Sequence, residues 1–286
     1  MRKLSILLIS LFSFATLSAQ DFSFGFKAGL SFSTLSGDLE TTSNGEDLET
    51  FKLTRGFHFG PIFNLKLTDV FGLRAEVLYS QKGLDYTYSG QSYWVFYPTN
   101  GDDIYHSGGT RNTRLFISNG YLDIPVTAVV RLGRIEVSAG VSAGILLSSK
   151  GLGEVTYSST NIEAFTILLD YNFKTDEAST AAGENAKDVF VNGKDVSVPQ
   201  EIGAYYGAFG RDGHLFNSLD LGLNAGLSFY LSKGLFLGFR LNYGLLDVTD
   251  ETQDISSMQL GENNTFINRA DFDRNISLQA SVGFSF

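Results

Sequence analysis

Residues 276–286 read I-S-L-Q-A-S-V-G-F-S-F, and every second position from Ile276 to Phe286 is apolar. The positions between them are Ser, Gln or Gly. Side chains alternate between the two faces of a strand, so this period of two predicts a β-strand with one apolar face and one small, polar face. Which solvent the apolar face meets decides the fold.

Seven further segments share this pattern, and each carries about 10 to 13 alternating residues. That length suits a tilted strand crossing a bilayer, which needs about 9–11 residues, whereas soluble strands average about 5–6. The composition, with 31 Gly, 14% aromatic residues and only 4 Pro, also favours an all-β chain. The seven segments are 22–32, 57–67, 71–80, 121–132, 135–148, 219–231 and 235–246.

The connections alternate in length along the chain. Residues 68–70, 133–134 and 232–234 form short turns, whereas 33–56, 84–120, 149–218 and 247–275 are long. Outer-membrane barrels show this asymmetry, with short periplasmic turns and longer extracellular loops. We therefore predict a closed eight-stranded antiparallel up-and-down transmembrane barrel with long extracellular loops and periplasmic termini. A β-sandwich with one apolar face per sheet is the alternative.

Closure requires the last segment to pair with the first, because an open sheet edge in lipid leaves backbone groups unpaired. The apolar face then points to lipid, and charges of both signs fill an interior only wide enough for side chains. The tight turn at 133–134 predicts Arg131 opposite Glu136, and the turn at 232–234 predicts Arg240 opposite Gly226. The predicted interior polar cluster comprises Lys27, Arg74, Glu76, Asp123, Arg131, Glu136, Asp220 and Arg240.

The first residues have the pattern of a targeting segment. A positive start at Arg2 and Lys3 precedes an apolar run and then the small residues Ser18 and Ala19. We predict a signal peptide over 1–20 and a single barrel domain over 21–286, with a retained membrane anchor as the alternative. No cysteine is present, so the exported chain has no disulfide. The net charge of -10 argues against nucleic acid as a partner.

Several stretches carry a family resemblance: Y-L-D-I-P-V at 121–126, V-S-A-G-V-S-A-G at 137–144, D-L-G-L-N-A-G at 220–226 and R-L-N-Y-G-L-L-D-V at 240–248. With the terminal Phe286, they resemble the PorT-like (porin-family) outer-membrane β-barrel proteins of Bacteroidota. The resemblance implies an outer-membrane barrel and fixes no activity. Because the family's namesake is tied to secretion and gliding machinery, it also implies an accessory role in such a machinery as an alternative.

Residues 140–144, G-V-S-A-G, match the G-x-S-x-G hydrolase motif. That motif needs a sharp strand-to-helix turn, whereas Ser142 falls in the middle of a predicted strand. The histidines are His58, His106 and His214, and the register places His58 near Ser80, where a polar core contact is the favoured interpretation. We predict no catalytic residue, cofactor or metal site. A membrane-embedded lipid hydrolase or acyltransferase stays as an alternative.

The most aromatic stretch, 86–97, is expected to extend the segment 71–80 and its loop beyond the membrane, and it contains the candidate binding residues Tyr93, Trp94 and Tyr97. Exposed aromatic side chains can stack on sugars or dock a partner, and packing of the loops over the barrel mouth is the alternative. The acidic loop stretches 46–49, 102–103 and 247–251 lack Ca²⁺-loop spacing and are expected to be solvated.

Taken together, the sequence predicts a monomeric, non-enzymatic protein embedded in outer-membrane lipid, with a structural or surface-binding role carried by its loops. The expected partners are a surface ligand or proteins of a secretion machinery. A passive pore is disfavoured because the charged side chains of the interior fill so narrow a barrel.

Overall fold

A computed structural model describes residues 21–208 and 213–286, and the predicted signal peptide lies outside these residues. Within them the chain is all-β apart from one 3-10 turn at Glu262–Asn264. The strands are β1 Asp21–Ser36, β2 Glu49–Lys52, β3 Thr54–Lys66, β4 Phe71–Glu76, β5 Leu78–Phe96, β6 Ile104–Leu132, β7 Ile135–Ser159, β8 Ile162–Asn172, β9 Lys187–Val191, β10 Lys194–Val198, β11 Glu201–Ile202, β12 Leu219–Tyr230, β13 Leu235–Gly244 and β14 Arg274–Ser285.

Antiparallel pairing runs through eight strand positions and returns to its start. The order is β1, β3, β4 with β5, β6, β7, β12, β13 and β14, and β14 pairs back with β1. Strands β4 and β5 occupy one position, separated only at Val77, since both lie between β3 and β6. The predicted pairing of the last segment with the first is confirmed, with Phe26 opposite Phe284.

The register follows from the short turns. Arg131 lies opposite Glu136 across the turn at 133–134, and Gly226 lies opposite Arg240 across the turn at 232–234. Gly133 has φ +64°, a left-handed conformation that glycine adopts without strain. Both predicted pairings are confirmed, as is the neighbourhood of His58 and Ser80. Because side chains alternate strictly, these pairs also fix which residues share the inner face.

The apolar face of the ring points outward. Phe24, Ile124 and Leu241, taken from three different strands, are 56%, 38% and 49% exposed, while the residues between such positions are mostly buried. This confirms the predicted orientation of the two faces. Among the described residues no helix is both long and apolar enough to span a membrane.

The predicted long loops 84–120 and 149–218 contain much regular structure. Strands β5, β6 and β7 continue through much of them, β8 extends the sheet, and β9 with β10 forms a separate hairpin. In these extensions the inner face becomes apolar, with Leu84, Leu115 and Ile167 buried, and the outer face carries exposed polar residues such as Arg114 and Glu154. The main hydrophobic core therefore lies in this outer part, beyond the long alternating band.

Candidate functional site

The inner face of the ring holds three groups of buried ions. Nearest the short turns, the Arg74 guanidinium donates hydrogen bonds of 2.7 and 3.0 Å to the two Glu136 carboxylate oxygens. The Tyr230 hydroxyl donates to the same carboxylate at 3.0 Å, and Phe236 lies 5.6 Å from the guanidinium carbon. A bidentate pair with a further donor satisfies both charges where water is excluded.

The middle group centres on Glu76. Its carboxylate forms an ion pair with the Lys27 ammonium at 2.6 Å and accepts a hydrogen bond from the Arg240 guanidinium on the other side. Nearby, the Nδ1 atom of His58 lies 3.1 Å from the Ser31 hydroxyl. The Glu76 carboxylate of β4 therefore links the Lys27 side chain of β1 to the Arg240 side chain of β13.

The third group lies toward the long connections. The Lys82 ammonium donates to Asp123 at 3.1 Å and to Asp220 at 3.0 Å, and the Asn275 amide donates to Asp220 at 3.0 Å. Gly144 lies opposite both carboxylates in the register, and a Cβ there would sit 2.6 Å from an Asp123 oxygen. Lys82 was missed at the sequence level because the strand was taken to end at Ser80.

The structure brings together seven of the eight predicted interior residues, all buried: Lys27, Arg74, Glu76, Asp123, Glu136, Asp220 and Arg240. Arg131 is the exception and is only half-buried. It lies beside the turn, where its Nε donates to the Gly133 carbonyl at 3.3 Å and its guanidinium stacks 3.5 Å from the Tyr230 ring. The prediction for Arg131 is corrected because Glu136, its neighbour in register, forms its ion pair with Arg74 instead.

Ser142, His58 and His106 each contact a different polar partner, and none of the three contacts another. Ser142 is in the middle of β7, where its hydroxyl accepts from the Asn242 amide at 3.0 Å. His58 contacts Ser31, and His106 lies 2.8 Å from the Tyr157 hydroxyl. The G-x-S-x-G stretch therefore belongs to a continuous strand, where the nucleophile is not presented at a turn.

A cavity of about 330 Å³ lies in the outer part of the molecule. Tyr93, Trp94 and Tyr97 line it, but Tyr93 and Trp94 are each only 6% exposed, so the prediction of exposed aromatic side chains is wrong for these two. Different segments cover the two residues: the Tyr93 ring lies 6.2 Å from that of Phe266, and the Tyr93 hydroxyl donates to the Ser256 carbonyl at 3.1 Å. Trp94 packs edge-on against Phe165, with ring centroids 5.3 Å apart. The Arg111 guanidinium lies 5.2 Å from the Trp94 ring.

One wall of this cavity is acidic and includes Asp254 and Asp273. In the long connection before β14, Ile255 bridges Asn268, and the Arg269 amide donates to the Asp254 carbonyl at 3.0 Å. This folded-back segment brings Asp254 to the start of β14. One carboxylate oxygen each from Asp254, Asp271 and Asp273 lies within 4.8 Å of the others. Among the described residues this is the group with the geometry to hold a metal ion.

Burial makes the charged forms of these carboxylates costly. Burial raises the pKa of Asp254 to about 7, with the neighbouring carboxylates of Asp271, Asp273 and Glu49 adding to it against the opposing effect of Arg269. Burial and the Asp271 charge likewise raise the pKa of Asp273 to about 6. This group was not predicted from the sequence. Asp271 and Asp273 are two residues apart, which places both on one side of an extended chain, and this spacing was the available signal. No local pattern predicts that Asp254 approaches them.

The sequence matches, over residues 18–250, the family described as "Outer membrane protein beta-barrel domain". Comparison with curated proteins finds no match.

Among solved structures, similarity is found to the attachment invasion locus protein Ail of Yersinia pestis, at 10% identity and TM-score 0.37, over 93% of this chain and 99% of that one. It extends to Neisserial surface protein A, at 14% identity and TM-score 0.34, over 93% and 99% of the two chains. It also extends to OprG of Pseudomonas aeruginosa, at 9% identity and TM-score 0.32, over 93% and 97%.

Proposed function

The chain belongs to the outer membrane protein beta-barrel domain family, and on that premise we propose that it is a non-enzymatic protein that binds a surface ligand in its outer cavity. Family membership places it in the outer membrane of a Gram-negative bacterium. The observation that carries the binding role is the cavity of about 330 Å³, walled by Tyr93, Trp94 and Tyr97. Aromatic walls with a few polar groups are typical of ligand sites.

The membrane-spanning part is a closed eight-stranded barrel in this proposal. Its support is the ring of pairings and the outward apolar face, which together leave no open sheet edge in lipid. The short turns and the start of β1 share one end, which we assign to the periplasm together with the C-terminus. The cavity then faces the outside. We propose a monomer, because the eight strand positions of the ring pair with one another within one chain.

The interior ion groups support a binding role over a passive pore. Arg74 with Glu136, and Lys27 with Glu76 and Arg240, bridge the inner face between different strands. An eight-stranded barrel has an interior that such side chains fill. Stable conductance steps in planar bilayers would overturn this part of the proposal. Loss of a lipid-modifying activity in Ser142→Ala or His58→Ala would instead assign the hydrolase alternative.

We propose a ligand with a flat, ring-shaped body, such as a saccharide, because rings stack on aromatic side chains. The chain has a single Trp, and it lines the cavity, so its emission reports directly on occupancy. The test titrates purified protein in detergent with a panel of oligosaccharides. We expect a saturable change in Trp94 emission that weakens in Tyr97→Ala, the half-buried residue of the three.

The matched control is Phe190→Ala, which removes an exposed aromatic ring from the β9–β10 hairpin. It is expected to leave the titration unchanged. Equal weakening by both variants, or no saturable response to any saccharide, would contradict the proposed ligand class. Secretion-machinery proteins could be recovered from outer membranes together with the wild type and equally with Tyr97→Ala. That result would favour the accessory role that the PorT-like resemblance implies.

A further inference from the structure

The acidic wall of the cavity carries more negative charge than its own cation can balance. Four carboxylates, those of Glu49, Asp254, Asp271 and Asp273, interact with the single guanidinium of Arg269, and the Glu40 carboxylate acts on it as well. Arg269 donates from Nη1 to both Glu49 oxygens, at 3.1 and 3.0 Å, and from Nη2 to Asp271 at 2.5 Å. With all four carboxylates ionised, the group keeps a formal excess of three negative charges.

Two buried oxygens in this group also have no hydrogen-bond donor among the described residues. Asp273 is 3% exposed, and the Thr249 hydroxyl donates to its Oδ2 at 3.1 Å while Oδ1 is left unpaired. The Asp271 side chain is 8% exposed, and Arg269 binds its Oδ2 while its Oδ1 is left unpaired. A buried carboxylate oxygen without a donor is costly, so each of these atoms points to a missing positive partner.

The spacing of the oxygens is compatible with an ion of the size of calcium. One oxygen from each of Asp254, Asp271 and Asp273 lies within 4.8 Å of the other two. Calcium binds oxygen at about 2.3–2.6 Å, so two of its ligands lie at most about 5 Å apart. A hard divalent ion among the three carboxylates would balance most of the excess charge, and water would complete its shell.

We propose that Asp254, Asp271 and Asp273 bind a divalent cation of the calcium type at the outer face of the protein. The ion joins Asp254, in the long connection between β13 and β14, to Asp271 and Asp273 at the base of β14. It thereby fixes the segment that forms the acidic wall of the cavity. The site is independent of which ligand the cavity accepts.

The test uses full-length protein refolded in detergent and stripped of divalent ions with EDTA, and the probe is CaCl₂ alone. Trp94 emission, calorimetric titration and the Tm are measured against calcium concentration. The site variant is Asp254→Asn with Asp273→Asn, and the matched control is Asp102→Asn with Asp103→Asn, which removes two exposed carboxylates.

We expect saturable binding to the wild type with a Kd in or below the roughly 10⁻⁴–10⁻³ M range of extracellular sites, and at least about tenfold weaker binding in the site variant. The control is expected to bind as the wild type does. Without calcium the site variant is expected to match or exceed the wild type in Tm, because repulsion is removed, and calcium reverses that order. If the double variant does not refold, Asp254→Asn alone carries the test, since Asp254 is the least buried of the three.

No saturable calcium response in the wild type up to about 10 mM, well above the affinity range of extracellular sites, would overturn the proposal. Equal affinities in the wild type and the site variant would overturn it too. A wild type that gains stability only from acid, and none from calcium, would show that protons neutralise the group instead.

Discussion

The interior of the ring and the acidic wall of the cavity are both buried and charged, but their charges are arranged differently. Among the described residues, the interior ion groups contain four cations, Lys27, Arg74, Lys82 and Arg240, and four carboxylates, Glu76, Asp123, Glu136 and Asp220. The acidic wall sets Arg269 against the carboxylates of Glu49, Asp254, Asp271 and Asp273, and Glu40 adds to the negative charge. The balanced ions of the interior neutralise one another. The excess negative charge of the acidic wall needs a cation or protons from solution.

The largest expected effect comes from breaking the balance of the interior. Arg74→Ala leaves the Glu136 carboxylate buried with only the Tyr230 hydroxyl, and we expect it to cost about 3–5 kcal/mol in the free energy of unfolding. Urea unfolding in detergent or lipid measures it. Replacing both partners, in Arg74→Met with Glu136→Met, is expected to recover most of the loss.

The control for this variant is Arg114→Ala, whose side chain is 58% exposed and whose partner is Asp85. A pair whose guanidinium is open to solvent contributes little to stability, because water screens the attraction. If Arg74→Ala costs no more than Arg114→Ala, the interior ions are not buried as described, and the contrast between the two regions disappears.

A smaller effect is expected from a charge on the outward face. Leu241→Arg places a cation in the lipid-facing band and is expected to cost about 2–4 kcal/mol in a bilayer if it lies near the midplane. Leu53→Arg, at an equally apolar and exposed position outside the long alternating segments, is the control and is expected to cost little. Equal costs for the two variants, measured by unfolding in vesicles, would argue that Leu241 does not face lipid.

The smallest expected effect is the pH dependence of the acidic wall. The pKa of Asp254 is raised to about 7 and that of Asp273 to about 6, above their values in the unfolded chain. Between about pH 4 and pH 7 the folded state therefore binds more protons than the unfolded state, so stability falls as pH rises through this range. Charges that act on these groups are Glu49, Asp247, Asp271 and Arg269.

In EDTA we expect the Tm to decrease between pH 5 and pH 8, by about 2–4 °C for each kcal/mol lost. Asp254→Asn is expected to flatten the decrease, and calcium to abolish it. The measurement is a thermal scan at each pH with and without the ion. A Tm that rises over the same range in EDTA would show that the carboxylates are stabilised as anions by another group.

Much of the ring could be predicted from the sequence, because its determinants are local. Alternation assigned Phe24, Ile124 and Leu241 to the outward face, and two short turns gave the Arg131–Glu136 and Gly226–Arg240 pairings. Each of these inferences needs only neighbours in sequence and the period of a strand. The ion partner of Glu136 was harder to predict. Glu136 binds Arg74, which lies on the strand on the far side of β6.

The outer site could not be predicted for a different physical reason. Alternation continues beyond the long alternating segments, but the apolar side changes from the outer face to the inner one, so the burial of Tyr93 and Trp94 could not be read from the pattern. Asp254 meets Asp271 and Asp273 only after the connection before β14 folds back on itself. This approach depends on a tertiary contact between loop segments. Such a contact leaves no periodic pattern in the sequence from which it could be predicted.

The central claim is that the long strands turn apolar side chains to lipid and polar ones to a filled interior. The chain contains no cysteine, so single spin-labelled cysteines in β13 can test it without further engineering. Labels at Leu237, Phe239 and Leu241 are predicted to collide freely with oxygen dissolved in lipid, and labels at Gly238 and Asn242 are predicted to be shielded. Equal accessibility at all five positions, or greater access of a water-soluble relaxation reagent to Leu237, Phe239 and Leu241, would contradict the account.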